Sequence, residues 1–150
     1  MHFDSLIKKE KIEDYYTLDE SSLGTGGFGV VKKGDNKSTN QPYAIKIYKK
    51  QAMEQEDELS LENEVIIMSQ VDVSLMQINH PNIVKLYEVY EDKDKYCMVL
   101  ELMTGGELFD RIVEKDHYTE AEARLVMLPV IDAVRYLHEM GIVHRDLKVL

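Results

Sequence analysis

Basic charge is scarce in this chain: 18 lysines and arginines stand against 28 aspartates and glutamates, a formal net charge of −10. Binding to phosphate backbones without regard to sequence needs cations in excess, so nucleic acid is not an expected partner. The plain reading of the charge is a solubilising surface. Cysteine occurs once, at Cys97, which excludes an internal disulfide and fits a reducing, cytoplasmic compartment. Residues 1–11 lack the apolar run of a signal peptide, and residue 2 is His2, not the glycine that myristoylation requires. The longest apolar-rich stretch, residues 125–131, contains Pro129 and falls far short of the roughly 20 residues a membrane helix needs. No membrane partner is expected, and neither an internal repeat nor a low-complexity tract is present.

What remains has ordinary globular proportions, with 44% hydrophobic and 31% charged residues. A chain of 150 residues can hide about two-thirds of its extended surface. Residues 1–15 are charged and weakly patterned and read as a surface lead-in. From Tyr16 the pattern is strand-like, is broken by glycines at 24, 26, 27 and 29, resumes at Val30-Val31 and turns near Gly34-Asp35-Asn36. Beyond Pro42 the chain alternates, with Ala44, Lys46 and Tyr48 on one side and Tyr43, Ile45 and Ile47 on the other. Residues 54–71 lack Gly and Pro and carry Leu61, Val65 and Met68 at helical spacing. Residues 83–90 and 96–102 are strands around a charged turn. After Gly105-Gly106 the pattern is helical. Leu108, Phe109, Ile112 and Val113 make one short stripe, and a longer helix opens at a Thr119/Glu122 capping box and runs to about Met140. Pro129 inside it predicts a bend over residues 125–129. Thr104-Gly105-Gly106 is the boundary between a β-rich lobe and a helical one.

The chemistry begins at Leu23-Gly24-Thr25-Gly26-Gly27-Phe28-Gly29-Val30-Val31, which contains G-x-G-x-x-G-x-V. Glycines let a backbone approach phosphate oxygens closely because no Cβ intervenes. A ligand-free glycine turn is the bland alternative. A dinucleotide-binding loop would run from a strand into a helix; this one runs from strand to strand, as a flap. On the next strand Lys46 can neutralise phosphate charge, and it needs an acidic partner to hold it. Glu64 on the following helix is the candidate, although singly each is as well explained as a solvated surface charge. Val31 and Ala44 offer small apolar surface beside the flap. The string His144-Arg145-Asp146-Leu147-Lys148 decides between these readings. Asp146 can accept the proton of a substrate hydroxyl, and Lys148 can offset charge on a phosphoryl group in transfer.

From about Tyr16 to its last residues the chain resembles the catalytic domain of protein kinases. His80-Pro81-Asn82-Ile83-Val84, Leu86-Tyr87-Glu88 and Gly105-Gly106-Glu107-Leu108-Phe109-Asp110 are most similar to the calcium/calmodulin-regulated and calcium-dependent kinases. Lys148, two places after Asp146, resembles the serine/threonine branch. The resemblance implies an α+β fold: a small lobe with a five-stranded antiparallel sheet and one helix over residues 16–103, then the first two helices of a helical large lobe over 104–150. It implies ATP as cofactor, with Lys46, Glu64, Asp146 and Lys148 as catalytic residues. Leu23, Gly24, Thr25, Gly26, Gly27, Phe28, Gly29, Val31, Ala44, Lys46, Leu100, Glu101, Met103 and Glu107 are implied around the nucleotide. Leu100 would be the gatekeeper, the Glu101 and Met103 backbones would meet adenine, and Glu107 would meet the ribose or a basic residue of the substrate. Met68, Leu86 and His144 would belong to a hydrophobic spine. The expected substrates are protein Ser or Thr hydroxyls, basic peptides among them.

Two departures qualify that implication. Residues 73–79 lie where the family runs straight from helix to His-Pro-Asn, which puts the anchor of the Glu64 helix in question. After Lys148 the sequence reads Val149-Leu150, so the asparagine and the D-F-G aspartate that hold Mg²⁺ in the family scheme are not among these residues, and no metal ligand is assigned. Both segments begin with valine, whose codons start with the bases of a usual intron donor. Two readings therefore stand beside an ATP-dependent kinase: a nonenzymatic, pseudokinase-like nucleotide- or protein-binding module, and a gene-model fragment.

Overall fold

Alternation of faces builds the larger part of this molecule. The computed structural model describes residues 6–26, 29–69, 80–145 and 147, which divide into two units, one of residues up to 69 together with 84–102, the other of 80–83 together with 103–147.

The first unit is a sheet of six strands, β1 (Ile7–Lys8), β2 (Tyr16–Gly26), β3 (Gly29–Asn36), β4 (Pro42–Lys49), β5 (Leu86–Glu91) and β6 (Lys95–Leu100), with helix α1 (Gln55–Ser69) between β4 and β5. Spatial order is β1-β5-β6-β4-β3-β2. The five expected strands pair antiparallel throughout. Because successive side chains point to opposite faces, β4 divides its residues between two cores. Ile45 and Ile47 join Tyr16, Ile12, Tyr90, Cys97 and Val99 on one face. Tyr48 joins Met98, Val89, Ile7 and the α1 residues Leu61 and Val65 on the other. Leu61 and Val65 stand one helical turn apart, so α1 lays a single stripe on the sheet. Burial pushes the Cys97 thiol up to about 12, which keeps it neutral and inert.

The lead-in differs from expectation. Ile7–Lys8 adds a sixth strand, parallel to β5 in the register Ile7↔Val89 and Lys8↔Tyr90, and Ile12 is 1% exposed. Ile7 and Ile12, five places apart among charges, show no readable period, yet each joins one of the two cores. The charges also have partners: Lys8 pairs with Glu88, Lys9 with Glu91 and Lys95 with Glu13, while Tyr16 and Tyr90 each donate to Glu88 at 2.8 Å.

A second difference lies at Gly34. The strand continues through it to Asn36, and the turn falls later, where Asn36 Oδ1 accepts the amides of Ser38 at 3.0 Å and Thr39 at 3.1 Å. Glycine at 34 leaves room for the Ile45 side chain, since a Cβ there would stand 2.3 Å from Ile45 Cδ1 and force it to shift.

The second unit holds α2 (Leu108–Lys115) and α3 (Glu120–Glu139). The expected capping box is formed, Thr119 Oγ1 accepting the Glu122 amide at 3.3 Å and Glu122 accepting the Thr119 amide at 2.9 Å. The far end closes on Gly141, at φ 76°, with Gly141 N donating to His138 O and Ile142 N to Leu137 O, both at 2.9 Å, a double bond pattern that satisfies the last carbonyls. The helix continues through Pro129.

Candidate functional site

Antiparallel register sets out one face of the sheet as a site. Val31 pairs with Lys46, and Ala44 with both Lys33 and Leu100; paired residues share a face, so Lys46 sets its ammonium beside the apolar Val31, Ala44 and Leu100, while Lys33 on the same face turns its ammonium to Asp35 at 3.2 Å. Next to it lies the β2–β3 flap, paired Gly24↔Val31, Thr25↔Val30 and Gly26↔Gly29. A Cβ at Gly24 would meet nothing within 4 Å, whereas at Gly29 it would stand 2.5 Å from the Ile47 carbonyl oxygen. One glycine thus leaves open space beside the flap backbone, and the other lets β3 approach β4. Leu23 is exposed, and Gly27 and Phe28 lie outside the described residues.

Lys46 is held from the helix. Its Nζ donates to Glu64 Oε1 at 3.1 Å, so the pair is in place with residues 70–79, including the segment 73–79, outside the described residues. The second carboxylate oxygen, Oε2, accepts the Tyr48 hydroxyl at 3.1 Å, and the ammonium stands 5.0 Å from the Tyr48 ring centroid. Burial works against the charge on Lys46, but the Tyr48 hydroxyl and the Glu64 carboxylate outweigh it and raise its pKa. Burial, with Glu64 adding to it and Lys46 opposing, raises Tyr48 as well, so the phenol stays a donor. Tyr48 was not singled out from the sequence. The signal available was an aromatic hydroxyl two places from the lysine, on the same strand face.

At the strand end the Glu101 amide donates to the Lys85 carbonyl at 2.9 Å, which narrows any base contact at that residue to its own carbonyl. Met68 and Leu86 pack, partly buried, against the α1 core. Met103, Glu107 and His144 belong to the second unit. There Met103 is exposed, and Glu107 precedes α2 with no side-chain capping bond. Arg145 adopts φ 66°, a left-handed conformation that is strained for a residue with a side chain. Asp146 and Lys148 lie outside the described residues. No group of three or more His, Cys, Asp or Glu side chains stands together as a metal site among those described.

The strand-to-strand glycine flap, the strand lysine held by a helix glutamate, and the apolar face beside them agree with the comparison by sequence, in which the protein kinase domain family matches residues 17–149. This chain belongs to the protein kinase domain family. Calcium-dependent protein kinase 5 of Plasmodium berghei is 45% identical to it over 143 residues, 95% of this chain and 24% of that protein. Rat calcium/calmodulin-dependent protein kinase type IV is 43% identical over 94% of this chain and 27% of its own length. Myosin light chain kinase A of Dictyostelium discoideum is 45% identical over 92% and 44% respectively. The kinase domain here therefore spans between about a quarter and under half of the length of these relatives. Among solved structures, Rad53 1-466 in complex with AMP-PNP is similar with a TM-score of 0.82 and 31% identity, over 91% of this chain and 34% of that one.

Proposed function

We propose that this chain supplies the ATP-binding face and the catalytic loop of a serine/threonine protein kinase of the calcium-dependent and calmodulin-regulated kind. The observation that carries the reading is Lys46, fixed by Glu64 at 3.1 Å on the sheet face it shares with Val31, Ala44 and Leu100. An ammonium held on an apolar face beside an open glycine backbone fits a triphosphate joined to a flat base. When bound, ATP supplies the γ-phosphoryl group. Val31, Ala44 and Leu100 would pack on the base, with the Glu101 and Met103 backbones at its edge and Glu107 toward the ribose or a basic residue of the substrate. Residues 23–29 and Lys46 would hold the phosphates. Asp146 would accept the proton of the substrate Ser or Thr hydroxyl, and Lys148 would offset developing charge. Lone, buried Cys97 supports a reducing, cytoplasmic setting.

A second reading rests on the residues after Lys148. Val149-Leu150 depart from the residues that follow the catalytic-loop lysine in the kinase pattern, and a nucleotide-binding module without transfer is the reading that such a departure favours. Losing one preorganised charge-stabilising group costs on the order of 10² to 10³ in rate. On this second reading nucleotide is bound, with little dependence on Mg²⁺, and phosphate is not transferred. Titration with a fluorescent ATP analogue, with and without Mg²⁺, tests the first part, binding being lost in Lys46→Met. Radiolabelled ATP with a basic Ser/Thr peptide tests the second. Transfer above background that Lys46→Met and Asp146→Asn both abolish would overturn this second reading and support the first.

A further inference from the structure

Glu64 has two carboxylate oxygens, and the structure gives each a different partner. Lys46 takes Oε1 and Tyr48 takes Oε2, both at 3.1 Å. Lys46 and Tyr48 are two places apart on β4 and so project from the same face, which lets one strand grip one helix carboxylate with two donors. The Tyr48 ring is 6% exposed and sits among Leu61, Val65, Met98 and Val89. Its hydroxyl therefore reaches Glu64 from a fixed position, whereas the long Lys46 and Glu64 side chains would otherwise rotate in partly wet surroundings, at 32% and 39% exposure.

We infer that Tyr48 is a positioning residue: its hydroxyl orients the Glu64 carboxylate, and through it holds the Lys46 ammonium where a nucleotide's phosphates are recognised. A carboxylate held by one flexible lysine is free to turn about its terminal torsion, which is broad; a second donor from a packed ring removes that freedom. The ring adds a second constraint, since the ammonium at 5.0 Å from its centroid lies within the range at which a cation is drawn to an aromatic face. A phenylalanine would keep the packing and the ring face while losing the grip on Oε2, so role and packing separate cleanly at this position. What the positioning is for rests on the nucleotide reading above; the geometry itself does not.

The test reads Lys46 directly. Acylation of Lys46 by an amine-directed reagent, followed by peptide mass spectrometry across pH 8–12, gives its titration in the wild type, Tyr48→Phe, Glu64→Gln and the double variant. Tyr48→Phe is expected to move the Lys46 titration to lower pH, with labelling near pH 9 rising about threefold to tenfold, the scale of the net contribution of one ordinary hydrogen bond. In the Glu64→Gln background the same change is expected to shift Lys46 clearly less than in the wild type, what remains being the direct effect of the Tyr48 hydroxyl on the ammonium. Cooperative melting checks that each variant is folded, and Tyr48→Leu, which also suits the apolar cluster, replaces Tyr48→Phe should that one fail. A folded hydroxyl-less variant whose Lys46 titrates as in the wild type overturns the inference. So does an equal shift in the wild-type and Glu64→Gln backgrounds, since Tyr48 would then act on Lys46 without the carboxylate. The affinity of the fluorescent ATP analogue, read in the same variants, separates the two readings. A wild type that does not bind it overturns the nucleotide site, while the Lys46 titration still decides the role of Tyr48.

Discussion

The sheet unit and the helical unit solve the burial problem in opposite ways. Every buried apolar residue among those described, except Ala133, lies in the sheet unit. There two cores sandwich β4 and β6, and even the charged lead-in contributes Ile7 and Ile12. In the helical unit α3 leaves Leu125 72%, Ile131 56% and Leu128 49% exposed; its ends are closed by the Thr119/Glu122 box and by Gly141, and His80 meets its middle, 3.1 Å from Asp132 Oδ2 and 5.1 Å from the Tyr136 ring centroid. The site follows the same division. Lys46, Glu64 and Tyr48 are gripped by packed elements, while the proposed proton acceptor follows a residue at a left-handed dihedral, Arg145. A preorganised charge is most readily built where side chains are already immobilised by packing.

Truncating an apolar side chain in each unit gives the widest separation. Ile45 is 0% exposed and Leu125 is 72% exposed. Ile45→Ala removes fully buried methyl groups and is expected to cost about 2–5 kcal/mol; Leu125→Ala on an open helix face is expected to stay within about 0.5 kcal/mol. Denaturant unfolding of both variants checks this, and equal losses would mean that α3 is packed as tightly as the sheet.

A smaller contrast comes from glycine. A Cβ at Gly34 would stand 2.3 Å from Ile45 Cδ1 and 3.1 Å from Leu18 Cδ2, while at Gly105 it would meet nothing within 4 Å. Overpacking of this kind costs about 1–3 kcal/mol, so Gly34→Ala is expected to lower the melting temperature clearly. Gly105→Ala, with open space and no left-handed dihedral, is expected to be neutral or to stabilise by up to about 1 kcal/mol through the unfolded chain. A neutral Gly34→Ala would show that Ile45 can move aside, and that the site face is softer than its packing implies.

Local rules made most of the sheet unit legible. Alternation placed Ala44, Lys46 and Tyr48 on one face, and the flap, the third expected strand and the Glu64 helix emerged in the right order, because each is long enough to show its period. The capping box was legible for the same reason, being a fixed spacing of two residue types. What escaped was whatever depends on a distant partner. β1 is a two-residue strand, and only Val89 and Tyr90, far along the chain, make it one. Gly34 looked like a turn because nothing in its neighbourhood announces Ile45 across the ladder. Tyr48 lay on the right face, but its bond to Glu64 depends on where α1 docks, and strand periodicity carries no information about that.

The smallest expected effect separates the units by pH. In the helical unit Lys115, with the Thr119 amide and hydroxyl, holds the Glu122 carboxyl down to about 2. A depressed carboxyl stabilises the fold above the ordinary carboxylate range, near 4.3, and that contribution drains away as pH falls from there toward 2. In the sheet unit Lys46 is raised, so its contribution is present below the ordinary lysine value and is lost only as pH climbs through the raised one. Carboxylates of the sheet unit, Glu88 and Glu91, are also lowered, so acid weakens both units and alkali singles out the sheet. The discriminating variant is Glu122→Gln, which keeps a side chain able to accept the Thr119 amide but cannot titrate. Helical circular dichroism of the wild type is expected to fall between pH 4.5 and 2 by more than that of Glu122→Gln, the two curves converging at the acid end. Superimposable curves would mean that the capping carboxylate adds nothing to α3, whose persistence would then have to come from its apolar side chains.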